Sequence, residues 1–307
     1  MVHYLQSLSK QTSKKEVFHM AQKDQDCQEA SSCSRSSCEG CPEHEKEAHG
    51  PQKFPQNPGS FVKHVIGVVS GKGGVGKSFV TASLANALAK AGHRVGILDA
   101  DITGPSIPKM YGLTADQTRA VDEHTLLPVT TANGIKVMSL NLIIQDPEQA
   151  VIWRGPILGQ VIQQFWSDVA WGQLDYLLVD MPPGTGDVPL TVFQSLPVDG
   201  IFIVTSPQDL VRMIVAKAWN MAQMMKIPVL GMIENYSYLK CPDCGKIIKV
   251  FGESHIDEVS KSTGLEVCGN IPINPDYAQL ADEGRFAEMD VDFLDRALKK
   301  VESTLTV

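Results

Sequence analysis

Apolar residues along this chain gather into short, nearly continuous runs, and stretches of helical spacing separate them. Residues 64–69 (His-Val-Ile-Gly-Val-Val), 94–99, 174–180, 200–205, 228–235 and 265–272 are rich in Val, Ile and Leu. Such runs suit parallel strands buried on both faces. Phe79, Val80, Leu84, Leu88 and Ala91 recur at helical spacing until Gly92 stops the pattern. Leu158, Val161, Ile162, Phe165 and Trp166 predict a second helix, and Leu210, Val211, Ile214, Ala218, Met221 and Met225 a third, its Met residues being core filler. Segments at 126–129 and 135–140, separated by Asn133-Gly134, read as a hairpin. Strands alternating with helices predict an α/β fold, a mostly parallel sheet covered by helices on both faces. The amphipathic segment 291–301 mixes Asp, Lys and Glu on its polar face. That favours docking on the domain over lying on an acidic membrane.

Residues 1–58 break the pattern. They are polar, lack either periodicity and hold too little apolar material for a core, so they predict a flexible extension. Pro51, Pro55, Pro58 and Gly59 make the linker into a domain over 59–307. The extension carries Cys27, Cys33, Cys38 and Cys41, the last three spaced C-x₄-C-x₂-C. Iron–sulfur proteins use such spacing, with Cys27 as a fourth thiolate. Zinc, with His44 or His49 as further ligands, is the alternative, and a Ser/Cys-rich tail without metal is the plain one.

Composition narrows the class. A net charge of −8 over 307 residues argues against a surface that coats nucleic acid. No apolar run reaches the length of a membrane span. The first twenty residues lack the apolar core of a secretory signal, and several Lys without Arg lend only weak support to a transit peptide. Seven cysteines suggest a reducing, cytoplasmic setting with metal ligation rather than disulfides.

Between the first strand and helix lies Gly71-Lys72-Gly73-Gly74-Val75-Gly76-Lys77-Ser78, which fits G-x-x-x-x-G-K-[ST]. The glycines let backbone N–H groups turn inward around phosphate oxygens, and the helix N-terminus adds its positive end. Lys77 would reach the β- and γ-phosphates of a nucleoside triphosphate, and the Ser78 hydroxyl would bind Mg²⁺. The run at 94–99 ends in Asp99, with Asp101 two residues on, and 174–179 ends in Asp180. Strand ends of this kind share the ligand-facing rim. Asp101 is the candidate for orienting an attacking water, Asp99 for support near the metal, and Asp180 for the Mg²⁺ shell. Either of the first two could instead cap the turn that follows. The glycine- and proline-rich 182–187 can change conformation. Asn235 is placed to hydrogen-bond a base edge, and Arg154 to meet phosphate or form a surface ion pair.

Within 236–246, Cys241-Pro242-Asp243-Cys244-Gly245 resembles half of a zinc ribbon without its second half. Two thiolates fall short of the four that a tetrahedral zinc or a four-iron cluster takes. A two-fold dimer supplies the missing pair. A redox disulfide is the competing reading. Cys268, isolated in an apolar run, reads as core.

With the additional Lys72, residues 71–78 look like the deviant phosphate loop of the dimeric ATPases that include the nitrogenase iron protein and the partition ATPases. Asp-Ile-Thr-Gly-Pro-Ser at 101–106, Asp-Met-Pro-Pro-Gly-Thr-Gly-Asp at 180–187 and Cys241-Pro-x-Cys244 extend this over roughly 60–290 to a resemblance to the Mrp/Nbp35 iron–sulfur cluster carriers. The resemblance implies a P-loop NTPase fold and an ATP-binding, slowly hydrolysing homodimer. It implies a [4Fe–4S] cluster bridged by Cys241 and Cys244 of both subunits and handed to apo iron–sulfur proteins. It implies that Lys72 reaches the partner's phosphates, and that the N-terminal cysteines form a second cluster site. Two other functions stay open. One is an electron-donating ATPase like the nitrogenase iron protein. The other is a partition or positioning ATPase, disfavoured because the chain lacks the basic surface and basic tail helix for DNA or membrane.

Overall fold

The computed structural model describes residues 53–101, 106–143, 155–207 and 211–305. The four N-terminal cysteines and Arg154 lie outside the described residues. In chain order the elements are β1 (Ser60–Ser70), α1 (Lys77–Lys90), β2 (Val95–Asp99), α2 (Ile107–Met110), β3 (Arg119–Ala120), β4 (Leu126–Leu127), β5 (Val129–Thr130) and β6 (Lys136–Ser139). They continue with α3 (Gly155–Ser167), β7 (Gly172–Asp180), α4 (Asp187–Ser195), β8 (Gly200–Thr205), α5 (Val211–Met224), β9 (Val229–Lys240) and β10 (Ile247–Ile248). The last are α6 (Ile256–Thr263), β11 (Val267–Ile273), α7 (Pro275–Asp282) and α8 (Asp295–Leu305).

Nine strands form one sheet in the order β10-β9-β8-β1-β7-β2-β6-β5, with β11 paired to β9. The pairs among β1, β2, β6, β7, β8, β9 and β11 are parallel; β10 on β9 and β5 on β6 are antiparallel. Parallel neighbours need a crossover, and the helical segments supply it. Along each central strand the side chains alternate between two cores. Val65, Leu177, Val179, Ile201 and Ile203 pack with Phe165 and Trp166 of α3, Val192 of α4 and Val215 of α5. Ile66, Tyr176, Leu178, Phe202 and Val204 pack with Leu84 and Leu88 of α1 and Val301 of α8. Burying each such side chain contributes about 1.5–3 kcal/mol, so a β-branched run flanked by helices is stable only when both faces are covered.

Several elements differ in extent from the sequence pattern. β1 begins at Ser60 because it pairs from there with β7, Ser60 facing Gly172. β9 continues past Asn235 to Lys240, where β10 turns back on it. The helix expected from 291 begins at Asp295, after a short 3₁₀ turn at Asp292–Leu294. The hairpin around Asn133-Gly134 forms between β5 and β6, with Gly134 at φ +85°. Leu126–Leu127 instead pairs with Arg119–Ala120 in a separate two-stranded sheet. The segment just before β1 is tied down, since Lys53 Nζ donates to the carbonyls of Phe193 and Leu196 and Trp166 Nε1 to that of Phe54. Among the described residues no helix is long and apolar enough to cross a membrane.

Candidate nucleotide and thiol sites

The first site is assembled by sheet register. Val68 lies beside Asp180, and Asp180 beside Asp99, so β1, β7 and β2 end on one rim. The loop leaves β1 there and enters α1 at Gly76, whose φ of +75° is the left-handed conformation glycine adopts without a Cβ penalty. Gly73 and Gly74 are exposed while Val75 is buried, which anchors the loop and leaves its backbone facing outward. A cavity of about 330 Å³ opens over it, bounded by Gly73–Phe79, Asp101, Ser106 and Pro183.

Asp180 is fully buried and takes three donors: Lys77 Nζ at 2.8 Å, Ser78 Oγ at 2.5 Å and Thr81 Oγ1 at 2.8 Å. Lys77 Nζ also lies 3.3 Å from Asp101 Oδ2. Burial works against the lysine's charge, but the nearby carboxylates of Asp180 and Asp101 outweigh it and hold its pKa above the ordinary value. Asp99 is the opposite case. Burial, then the charge of Asp180, pushes its pKa well up, against smaller pulls from Lys77 and from Ser139, whose Oγ donates to Asp99 Oδ2 at 3.1 Å. The carboxylates of Asp99, Asp101 and Asp180 thus gather on this rim, with Lys77 between Asp101 and Asp180.

Hard oxygen donors in the Ser78 hydroxyl and the Asp180 carboxylate suit Mg²⁺. Ser78 and Asp180 would hold the ion, which would supply positive charge to offset that of a bound phosphate. The 182–187 segment is tied to the end of β1, where the loop begins, since Gly184 N donates to Ser70 O at 2.8 Å. Lys72 is half-buried on the loop, and Ser70 Oγ donates to its carbonyl. Asn235 is buried and engaged by the chain itself: Nδ2 donates to Val75 O at 3.0 Å and Oδ1 accepts from Tyr236 N. In this arrangement its amide holds the loop.

The second site is the turn between β9 and β10. Cys241 N donates to Lys246 O and Gly245 N to Cys241 O, which folds the cysteine turn back on itself. Cys241 and Cys244 are free thiols, the second exposed. Backbone N–H groups of Cys244 and Asp243 point at the Cys241 sulfur and lower its pKa, favouring the thiolate that binds metal. Among the described residues no group of three or more metal-ligating side chains occurs. Cys268 is core: burial raises its pKa to about 11, and its Sγ packs where a Cβ on Gly231 would sit.

Sequence reasoning passed over Thr81, Ser139 and Tyr236. Thr81 had a usable signal, since it falls four residues after Lys77 and so on the same helix face. Ser139 and Tyr236 act across strands, and nothing local marks them.

The family described as NUBPL iron-transfer P-loop NTPase matches residues 61–305. An iron-sulfur cluster carrier protein of Clostridium perfringens is 44% identical over 269 residues, covering 85% of this chain and 92% of that protein. One from Methanocaldococcus jannaschii is 47% identical over 226 residues, 73% of this chain and 78% of that one. Among solved structures, a nucleotide-binding protein from Archaeoglobus fulgidus in complex with ADP, with cobalt present, superposes with a TM-score of 0.68 at 45% identity. It covers 76% of this chain and 91% of that one. MinD of Aquifex aeolicus, in its complex with MinC, shares the fold, with a TM-score of 0.58 at 19% identity over 78% of this chain and 96% of that one. With a family match that spans the glycine loop and the strands around it, the chain belongs to the NUBPL iron-transfer P-loop NTPases.

Proposed function

We propose that this protein is an ATP-dependent iron–sulfur cluster carrier that works as a homodimer in the cytoplasm. The observation that carries the reading is the pair of free thiols, Cys241 and Cys244, in one exposed turn of an iron-transfer NTPase, with Cys241 biased toward thiolate. Two thiolates per chain leave a four-iron cluster half-ligated, and a second copy completes the set. A [4Fe–4S] cluster is the cargo, and apo iron–sulfur proteins receive it. The names of the relatives from Clostridium and Methanocaldococcus support this assignment.

At the nucleotide, Lys77 and the loop backbone bind the phosphates of ATP, with Ser78 and Asp180 holding Mg²⁺ and Asp99 in support. Asp101, on the rim 3.3 Å from Lys77, orients the attacking water. Lys72 reaches the partner's phosphates and offsets the charge that develops there. Hydrolysis is slow because it reports a change of dimer geometry. Cys27, Cys33, Cys38 and Cys41, in the N-terminal extension over 1–58, hold a second cluster.

The test is anaerobic reconstitution with iron and sulfide counted per chain, followed by incubation with an apo-aconitase-type acceptor. We expect the Cys241→Ala/Cys244→Ala variant to lose the bridging cluster and its transfer, while the Cys38→Ala/Cys41→Ala variant loses iron and keeps the bridging site. Unchanged iron and sulfide in the first variant would remove the interface site. Electron delivery with the cluster retained would replace carriage by a redox role.

A further inference from the structure

β9 loses register with β11 where it passes the phosphate loop. Glu234 pairs with Asn270 and Tyr238 with Pro272, so residues 235–237 stand opposite Ile271 alone. Tyr236, at the centre of this bulge, has a φ of +59°. A bulky residue in the left-handed region is strained and persists only where its surroundings hold it. Here they do. Tyr236 N donates to Asn235 Oδ1 at 2.9 Å, Ser237 Oγ to Glu234 Oε2 at 2.6 Å, and Asn270 Nδ2 to Ser237 Oγ at 3.4 Å. Bulges next to functional sites re-aim side chains.

This bulge aims two side chains at the loop. Asn235 Nδ2 donates to Val75 O, and a Cβ built on Gly76 would come 2.2 Å from that nitrogen and 3.1 Å from the Tyr236 hydroxyl. The preceding residue holds the cysteine turn. Glu234 is 1% exposed, and its carboxylate accepts from Ser237 Oγ on one side of that turn and from Ser254 Oγ on the other. Ser254 Oγ also accepts from Ile256 N at the head of α6. Cys241 and Cys244 lie between the two serines, in a loop closed at its base by one buried carboxylate.

We propose that Glu234, Asn235 and Tyr236 are positioning residues shared by the two sites, so that nucleotide on the loop alters how Cys241 and Cys244 are presented. A phosphate ligand acts on the backbone of Val75, which Asn235 holds, and of Gly76, beside which the Tyr236 hydroxyl lies. A shift of the bulge then moves both ends of the clasp at Glu234. The proposal rests on the carrier reading only for what the thiols hold; the coupling itself concerns thiols and nucleotide.

The experiment uses the full chain, reduced and metal-free, with and without MgATP at a concentration shown by titration to saturate each variant. Alkylation by iodoacetamide is quantified peptide by peptide, with buried Cys268 as internal control. In the wild type, ATP should change the rates at Cys241 and Cys244 by about fivefold or more, the lower end of ordinary coupling between sites, and leave Cys268 unchanged. Tyr236→Asn keeps a residue tolerant of the left-handed region but removes the ring from Gly76. Ser254→Ala opens the clasp without touching the loop, and it carries the test if the first variant does not fold. Each should bring the ATP response toward unity. No response in the saturated wild type, or a full response in both variants, overturns the proposal. A thiol response that survives while reconstitution places no iron at Cys241 and Cys244 upholds the coupling and overturns carriage alone.

Discussion

Lys77 Nζ lies 2.8 Å from Asp180 Oδ1, and both residues are buried. The lysine that would grip a triphosphate is thus already held by the carboxylate at the end of β7. Breaking a buried pair by removing one charge costs about 3–5 kcal/mol, because the other is left uncompensated. Here Asp101 remains 3.3 Å from the ammonium and softens that loss. We expect Asp180→Asn to lower the stability of the nucleotide-free protein by about 2–3 kcal/mol in denaturant unfolding, and to weaken Mg²⁺-dependent ATP binding. An unchanged unfolding midpoint would mean that Asp101 alone sustains the lysine.

Gly76→Ala should disable the loop from two sides. The φ of +75° costs an alanine about 1–2 kcal/mol, and its Cβ would fall 2.2 Å from Asn235 Nδ2. The loop must move or Asn235 must release Val75. ATP affinity by calorimetry should drop by at least about tenfold, a free-energy change of the same size. Gly74→Ala is the comparison: its φ is +78° but nothing lies within 4 Å, so it carries the backbone cost without the collision.

The contrast between these two glycines shows what the chain made legible. The loop at 71–78, the strand ends at Asp99 and Asp180, and the two-faced burial of the sheet follow from local spacing, because each depends on neighbours a few residues away. The pairing of Leu126 with Ala120 and the bulge at Tyr236 do not. Both depend on which strand arrives alongside, and a two-residue register shift leaves no trace in composition. Asn235 illustrates the limit. Its position at the ligand rim could be read from the strand, whereas the bond to Val75 needed the strand and loop side by side.

Lys72 and Lys77 should separate binding from turnover. Lys77 is buried against Asp180, whereas Lys72 is half-buried at the start of the loop. Lys77→Ala should abolish ATP binding measured by calorimetry. Lys72→Ala should keep ATP affinity within about threefold and lose about 10³-fold in hydrolysis at saturating ATP, as when a charge supplied in trans is withdrawn. Equal losses of affinity in both variants would place Lys72 on its own chain's nucleotide.

Asp175, far from the chemistry, provides a pH test of the fold. Arg94, just before β2, donates to it from the backbone N at 2.9 Å, from Nε at 3.0 Å and from Nη2 at 2.8 Å, which joins β2 to β7. Those hydrogen bonds hold the Asp175 carboxyl well below the usual carboxylate range. A pKa lower in the folded than in the unfolded state means that the unfolded chain takes up the proton first. The stabilisation is therefore fully present above the ordinary aspartate value near 3.8 and is lost as pH falls below it toward the folded pKa. Because both side chains are partly exposed, solvent screening limits the effect. Asp175→Asn should cost about 1 kcal/mol at pH 7 and less at high salt, with the deficit shrinking steadily below about pH 4. Parallel urea-unfolding series on the two proteins from pH 7 to pH 3 check the sign. A deficit that grew as the pH dropped would show that Arg94 binds the neutral form.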